Sequence, residues 1–266
     1  SIATVYRVGS SDYGRFYSIA NAMIGYETGI TNYSEFVMPD EINGFRITVL
    51  SENIYLGKIT TDSMGNTIAE KGDTAIKTAY LTLPVNLIKI SAHAFDDFDI
   101  TTSVTYKGSS LTDMDGNVFG DCSFYTQSNG AMYLGRILVK WNDATGNVTV
   151  NNGTVSISSD AFNGSNASKI TLPESLVNIA NNAFYGSTSL REINIPNSVT
   201  QIGSSAFQNC TALTTVNIDT INSGLNSLGN NAFYKCRSLK ELRLPYNLKS
   251  IGENAFSACT SLTTIT

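Results

Sequence analysis

The chain has 266 residues, of which 42% are hydrophobic but only 15% are charged, below the roughly 25% charge of an average domain. Its net charge of −5 and pI of about 4.9 argue against a nucleic acid or an anionic membrane surface as partner, because both require a basic face. No apolar run approaches the roughly 18 residues of a membrane-spanning helix, so we expect no membrane insertion in this segment.

The first 75 residues are predicted to form an N-terminal cap with one divergent repeat. Residues 1–35 have no repeating pattern, and their scattered aromatic side chains are expected to help close the end of the fold: Tyr6, Tyr13, Phe16, Tyr17 and Tyr26. The segments 36–39 and 47–55 have the outline of a strand-and-turn unit that recurs downstream, with an extra turn at Asn43-Gly44 between them.

Residues 76–95 contain the first clear copy of this unit. Its first part, Leu81-Thr82-Leu83-Pro84, alternates apolar and polar residues, which predicts a strand that ends at the proline because proline cannot donate to a ladder. Its second part, Ile90-Ser91-Ala92-His93-Ala94-Phe95, predicts a short 3₁₀ or helical turn that brings the chain back.

Residues 96–150 are predicted to be irregular repeats with a β-hairpin insertion. Strand-like segments at 132–134 and 136–141 lie on both sides of Gly135, which favours a hairpin or a bulged strand. We expect the aromatic residues of this region to pack in the core, and an aromatic-rich surface patch is the alternative: Tyr106, Phe124, Tyr125, Tyr133 and Trp141.

Regular repeats fill residues 151–266. Five phenylalanines, each preceded by alanine, follow one another in steps of 22, 23, 26 and 23 residues: Phe162, Phe184, Phe207, Phe233 and Phe256. A fixed period of this size is the signature of a solenoid, so we expect parallel strands around a ladder of buried phenylalanines. The chain stops inside the strand of another repeat, and we therefore expect it to be truncated at its C-terminal end.

These phrases resemble the leucine-rich repeats of the bacterial BspA-like (Treponema-type) class. The resemblance is carried by Leu190–Pro196 (Leu-x-x-Ile-x-Ile-Pro), by Ile202–Phe207 (Ile-Gly-x-x-Ala-Phe) and by the step from Phe207 to Cys210. It implies an α/β-type leucine-rich-repeat solenoid of horseshoe shape, rich in β-structure, with short 3₁₀ or helical turns, parallel strands and an irregular N-terminal part. The asparagine ladder of eukaryotic repeats is not kept, and its slot holds Ser175, Ser198 and Asn247.

Three of the four cysteines occupy one slot of the repeat, three residues after the phenylalanine: Cys210, Cys236 and Cys259. Ser165 and Ser187 hold this slot in earlier units, and the interchange predicts a ladder of buried free thiols rather than disulfides. Cys122 follows a similar local phrase, and no CxxC spacing indicates a zinc site or a redox pair.

Little in the sequence points to catalysis. The single histidine, His93, occupies a variable slot of the repeat and is expected at the surface. Residues 113–117 resemble a calcium loop, but Val118 and Phe124 stand where an EF-hand needs glycine and glutamate, so a tight turn is favoured. The acidic stretch 96–99 predicts a solvated loop. We expect neither a cofactor nor a metal ion, and no enzyme activity.

The outward positions of the strands are the candidates for binding. In a leucine-rich repeat fold the strand face is concave, and its outward residues here would be Tyr80, Thr82, Lys169, Thr171, Glu192, Asn194, Thr215, Asn217, Glu241 and Arg243. Most of these side chains are small and polar, and only Tyr80 and Arg243 are of the types that dominate interfaces. This predicts either a weak, wet interface or a plain spacer surface.

The resemblance implies a non-catalytic module for protein–protein interaction on a bacterial cell-surface or secreted protein. Its partner would be a host extracellular protein or another bacterial surface protein, bound in adhesion. The first residues lack the segments of a signal peptide, which leaves either a cytosolic protein or a processed or truncated chain. We favour the second because the far end looks cut, and the resemblance then implies a cell-surface or extracellular location. The alternatives are a structural stalk that spaces another domain, and a glycan-binding or enzymatic site at the 96–150 insertion.

Overall fold

The computed structural model describes residues 4–6, 17–19, 23–25, 32–38, 40–42, 45–50, 55–61, 67–71, 76–95, 98–120, 122, 124–125 and 130–266. The chain divides into two units, unit 1 (Ser1–Ser128) and unit 2 (Asn129–Thr266). Each unit is built from turns of a parallel β-solenoid.

The strands of unit 1 are β1 (Thr4–Tyr6), β2 (Tyr17–Ile19), β3 (Met23–Gly25), β4 (Asn32–Val37), β5 (Glu41–Ile42), β6 (Phe45–Leu50), β7 (Tyr55–Thr61), β8 (Thr67–Lys71), β9 (Ile76–Leu83), β10 (Lys89–Ile90), β11 (Phe98–Tyr106) and β12 (Asp113–Met114). Two parallel sheets, β4-β9-β11 and β2-β6-β10-β12, form two sides of its coils. The antiparallel pairs β1-β3, β5-β6 and β7-β8 are added to this pattern, and β3 pairs with β7 in parallel.

The strands of unit 2 are β13 (Ala131–Leu134), β14 (Ile137–Trp141), β15 (Thr145–Thr149), β16 (Ser156–Ile157), β17 (Asn166–Thr171), β18 (Asn178–Ile179), β19 (Glu192–Asn194), β20 (Gln201–Ile202), β21 (Thr215–Asn217), β22 (Ser227–Leu228), β23 (Glu241–Leu242), β24 (Ser250–Ile251) and β25 (Thr264–Ile265). On one side of the coils, β15-β17-β19-β21 form a four-stranded parallel sheet and β23-β25 form a two-stranded parallel sheet. The parallel series β14-β16-β18-β20-β22-β24 is the second sheet. The antiparallel hairpin β13–β14 around Gly135 adds one more strand to it.

A ladder of aromatic rings fills the core of unit 2. Phe162, Phe184, Phe207 and Phe233 are fully buried, and successive rings stack with centroids 4.9–5.2 Å apart and planes within 8°. Trp141 continues the ladder at the hairpin, with its ring 5.7 Å from Phe162. The predicted phenylalanine core is confirmed for these four rings, whereas Phe256, whose ring lies 5.9 Å from that of Phe233, is only half-buried. The spacing of the rings follows from the roughly 4.8 Å separation of parallel strands, which places each ring on the next.

The Ala-Phe phrase turns the chain through two residues of left-handed backbone. The residue two before the phenylalanine has positive φ in every copy: His93, Asn117, Asp160, Asn182, Ser205, Asn231 and Asn254. The second residue after it is Gly164, Gly186, Asn209, Lys235 or Ala258, again with positive φ. Hydrogen bonds of the i→i+3 kind are present, as from the Asn163 amide to the Asp160 carbonyl, but the left-handed residue interrupts a continuous 3₁₀ helix.

The cysteine slot forms hydrogen bonds between neighbouring turns. The Sγ atoms of Cys210, Cys236 and Cys259 each donate to the carbonyl of the phenylalanine in the preceding turn, at 3.0–3.1 Å. The Ser187 hydroxyl makes the same bond to Phe162 at 2.8 Å. This shared donor role explains why serine and cysteine interchange. The three cysteines of the slot are buried and free as predicted, and Cys122 is buried and free as well.

The slot of the eukaryotic asparagine ladder also keeps a donor. The Ser198 hydroxyl donates to the Leu176 carbonyl at 2.6 Å, and Ser175 donates to Thr154 at 2.8 Å. Asn247 donates from its side-chain amide to the Ser223 carbonyl at 2.9 Å. A hydroxyl group can therefore replace the amide, because the carbonyl of the previous turn needs only one further donor.

One repeat in unit 1 departs from the regular Ala-Phe phrase. The stretch Met114-Asp115-Gly116-Asn117-Val118-Phe119 makes the same turn as the Ala-Phe phrases, and Phe119 stacks on Phe95 at 5.4 Å. Asp113 and Asp115, considered as part of a calcium loop, instead accept from Lys89 Nζ at 2.9 and 3.2 Å. In this copy Met114 replaces the isoleucine of the phrase and Val118 replaces its alanine.

Candidate functional site: the strand-face groove

The strand face of unit 2 is the outward side of β17, β19, β21 and β23 and of the residues that directly follow them. In β21, Val216 is buried whereas Thr215 and Asn217 are exposed. Parallel register carries this alternation from turn to turn, because Lys169 pairs with Glu192 and Glu192 with Thr215. The inward positions form the core, and the outward ones are left free to vary.

Eight of the ten candidate residues line one open groove of about 1060 Å³ on this face: Lys169, Thr171, Glu192, Asn194, Thr215, Asn217, Glu241 and Arg243. The other two candidates, Tyr80 and Thr82, lie on β9 of unit 1. There Tyr80 is 49% exposed, and Thr82 is half-buried between its sheet neighbours Val37 and Thr105. Whether any of the ten binds a ligand stays a prediction.

The floor of the groove is a hydrogen-bonded polar layer. The Asn217 side-chain amide donates to Asn194 Oδ1 at 2.7 Å and to Glu192 Oε1 at 3.1 Å. At the rim, Asp219 accepts from the Asn222 amide and side chain and from the Ile221 amide, and these bonds lower the pKa of its carboxyl to about 2. The groove therefore combines hydrogen-bonded acceptors with the basic side chains of Lys169 and Arg243 and the acidic side chain of Glu241.

Part of the lining was not predicted from the alternation of the strands. Lys240, Thr214 and Thr263 occupy the slot just before the strand, and Asn197 and Glu174 the slot after the proline. The pairing register between turns would have predicted these residues. The Thr214 amide donates to the Arg191 carbonyl, and the Thr263 amide donates to the Lys240 carbonyl. Both bonds continue the ladder one residue before the predicted strand positions.

The other residues considered in the sequence, His93 and the aromatic side chains of residues 96–150, lie in turns or in packing contacts. His93 is exposed with φ 58°, and its Nδ1 lies 3.3 Å from the side-chain nitrogen of Asn117. In unit 1, Phe124 and Tyr125 contact Phe119, and the Tyr106 hydroxyl bonds to the backbone of residues 87, 110 and 111. In the described part of the chain no three His, Cys, Asp or Glu side chains converge as a metal site requires.

Some predictions fall on residues that the structure does not describe. Asp96 and Asp97 of the acidic stretch, the Asn43-Gly44 turn and the side chains of the N-terminal aromatics lie outside the described residues. Within the described ranges, no helix is both long and apolar enough to cross a bilayer.

Solved structures with similar coils come from several bacteria. A leucine-rich cell surface protein from Faecalibacterium prausnitzii A2-165 is 17% identical, with 99% of this chain covered and a TM-score of 0.38. A T. pallidum leucine-rich repeat protein is 20% identical (91% of this chain, 83% of the other, TM-score 0.38). The pneumococcal vaccine antigen PcpA is 18% identical (100% and 70%, TM-score 0.38). The chain spans 54% of the Faecalibacterium protein, about half its length.

No curated protein matches the chain in sequence. The family model of the BspA-type leucine-rich repeat region, by contrast, matches six copies across residues 52–129 and 155–266, well over half of the chain. These ranges include the turn at 114–119 as well as the regular units with their buried phenylalanines. The chain belongs to the BspA-type leucine-rich repeat region family.

Proposed function

We propose that the chain is a non-catalytic binding module of a bacterial cell-surface or secreted protein, and that it binds a protein ligand in the strand-face groove during adhesion. The observation that supports this proposal most is that inward and outward side chains have different roles in each turn of unit 2. Inward side chains are used in the aromatic and aliphatic core, whereas outward side chains of successive turns line one groove. A stacked repeat offers such a broad surface rather than a deep pocket.

The chemistry of the groove suits a protein ligand. It offers amide, hydroxyl, carboxylate, ammonium and guanidinium groups, so it can match the mixed polar rim of another protein. Family membership supports the same function, since leucine-rich repeats are interaction modules. The cell-surface location is supported by the name of the similar Faecalibacterium protein.

The test is binding of the chain to an array of host extracellular proteins and bacterial surface proteins. We expect at least one specific ligand, and we expect a groove set (Lys169→Ala, Glu192→Ala, Glu241→Ala and Arg243→Ala) to weaken binding at least tenfold. The matched control is a set on the second sheet of the same unit, Asn178→Ala with Gln201→Ala, which should leave binding unchanged. Unchanged binding by the groove set would exclude this face.

A stalk predicts a different result. A spacer would bind nothing on the array, and replacing its repeats by foreign repeats of equal number would preserve the function of the longer protein. That pair of results would reject the binding module.

A further inference from the structure

Two large apolar side chains are exposed on adjacent turns of unit 2. Tyr246 is 87% exposed and Ile221 is 78% exposed. They belong to adjacent turns that are joined at this point, because the Tyr246 amide donates to the carbonyl of Thr220 at 3.1 Å. Single exposed apolar residues are common on protein surfaces, but two such residues on joined turns suggest a contact surface. We call Ile221 and Tyr246 the apolar edge.

The exposure of Tyr246 is a property of its slot in the repeat. The same slot, directly after the proline of the strand, holds Glu174 and Asn197 in turns that have neighbours on both sides, and both are exposed. An aromatic side chain therefore replaces a polar one at a position that faces solvent in each turn. Ile221 lies in the loop where Asp219 replaces the proline, held by the hydrogen bonds to Asp219.

The turn that carries Tyr246 is basic, although the chain as a whole has a net charge of −5. From residue 235 to 249 it contains one acidic residue, Glu241, and five basic ones: Lys235, Arg237, Lys240, Arg243 and Lys249. Arg243 and Glu241 line a groove of about 370 Å³ together with Tyr246. Lys240 and Arg243 also line the larger strand-face groove. Arg243 is therefore shared by the two grooves and lines the smaller one together with Tyr246 and Glu241.

We propose that the apolar edge and the basic turn bind an acidic segment of a protein partner. An apolar side chain of that segment packs on Tyr246 and Ile221, and its carboxylates pair with Arg243 and Lys240. Tyrosine and arginine are the residue types that contribute most at interfaces, and the guanidinium fork matches a carboxylate in two hydrogen bonds. This inference rests on the proposed function and narrows it to the apolar edge, the basic turn and one chemistry of ligand.

The probe is a fluorescein-labelled peptide of twelve residues in which Glu and Asp alternate with Phe and Leu, measured by anisotropy with the whole chain. Its matched control has Lys in place of every acidic residue. We expect only the acidic peptide to bind, and we expect Tyr246→Ala and Arg243→Glu each to weaken binding at least tenfold. Raising the salt concentration should weaken binding by the unchanged chain more than by Arg243→Glu.

Gln201→Ala changes an exposed residue on the second sheet of the same unit and should leave the affinity unaltered. Because Tyr246 is almost fully exposed, its variants should keep the circular dichroism spectrum of the parent chain, and Ile221→Ser gives an independent test of the same edge. Failure of the acidic peptide to bind at millimolar concentration, equal binding of the lysine peptide, or full binding by Tyr246→Ala and Ile221→Ser would each overturn the inference.

The two proposals fail separately. An array ligand whose binding depends on Lys169 and Glu192 but not on Tyr246 or Ile221 would keep the proposed function and reject the acidic-segment inference. An array with no ligand at all would reject the proposed function.

Discussion

At the scale of the residue, each position in the repeat is set by what it must donate, accept or fill. The position three residues after the phenylalanine needs a small hydrogen-bond donor, because its side chain faces the phenylalanine carbonyl of the preceding turn. Serine and cysteine both satisfy it, and they differ mainly in size and in the acidity of the donor. This requirement makes two predictions about the cysteines.

The first concerns Cys236, whose thiol donates to the Phe207 carbonyl at 3.1 Å. Cys236→Ser keeps a donor at the slot, so we expect the free energy of unfolding to change by less than about 1 kcal/mol. Cys236→Ala removes the donor and leaves a small void, so we expect a loss of about 1–2 kcal/mol. Urea unfolding followed by circular dichroism measures both. Equal stability of the two variants would show that the hydrogen bond contributes nothing.

The second concerns alkaline pH. Burial raises the pKa of the Cys210 thiol from 9.0 to about 12, and burial is also the main cause that raises the pKa of Cys236 and of Cys259. The folded state therefore holds these protons more tightly than the unfolded state. The resulting stability is complete below pH 9 and is lost as the pH rises from 9 towards 12, by up to about 1.4 kcal/mol per thiol per pH unit.

Unfolding free energies at pH 8 and pH 10.5 measure this loss. The variant with Cys210→Ser, Cys236→Ser and Cys259→Ser has no such thiols and should lose less stability over the same interval. The account of buried thiols is contradicted if the unchanged chain and the triple variant have parallel pH profiles.

At the scale of the element, stability comes from contact between turns and not from any one turn. Two-residue strands such as β18 and β20 have few hydrogen bonds each. The stack is also held by backbone hydrogen bonds between turns outside the strands, by the ring ladder and by the close approach of backbones. Phe207 tests the ring ladder, and Gly203 of the same turn tests the close contact between the backbones of neighbouring turns.

Phe207→Ala should reduce the free energy of unfolding by about 3–5 kcal/mol, because it leaves a cavity between two stacked rings. The Phe207 ring is fully buried, and its centroid is 4.9 Å from that of Phe184 and 5.1 Å from that of Phe233. Tyr246→Ala removes an aromatic ring that is exposed and should cost at most about 0.5 kcal/mol. A loss below 1 kcal/mol for Phe207→Ala in urea unfolding would refute the ladder as the core.

Gly203→Ala should cost about 1–3 kcal/mol through overpacking. A Cβ at Gly203 would lie 2.6 Å from the Ala180 carbonyl carbon and from the Asn181 nitrogen, both backbone atoms of the preceding turn. Ser204→Ala, the adjacent residue, adds no atoms and should stay within about 0.5 kcal/mol. Thermal unfolding of the two variants compares them, and equal melting temperatures would mean that the turns are more loosely stacked than described.

At the scale of the whole molecule, the fold could be predicted because one phrase repeats with its spacing nearly intact. Alternation of side chains also gave eight of the residues that line the groove. The turn at 114–119 was not assigned as a full copy from the phrase alone, because Met114 and Val118 replace its isoleucine and alanine, although the family model covers it. The apolar edge could not be predicted either, since the exposure of Ile221 and Tyr246 depends on how loops of unequal length lie beside one another.

The central claim is that a ligand lies on the strand face of unit 2, and crosslinking tests it most directly. A photoreactive benzoylphenylalanine is placed at Thr215, exposed on the strand face, or at Gln201, exposed on the second sheet of the same unit. With the ligand found on the array, we predict a crosslinked adduct from position 215 and none from position 201. Adduct formation from position 201 with none from position 215 would contradict the account.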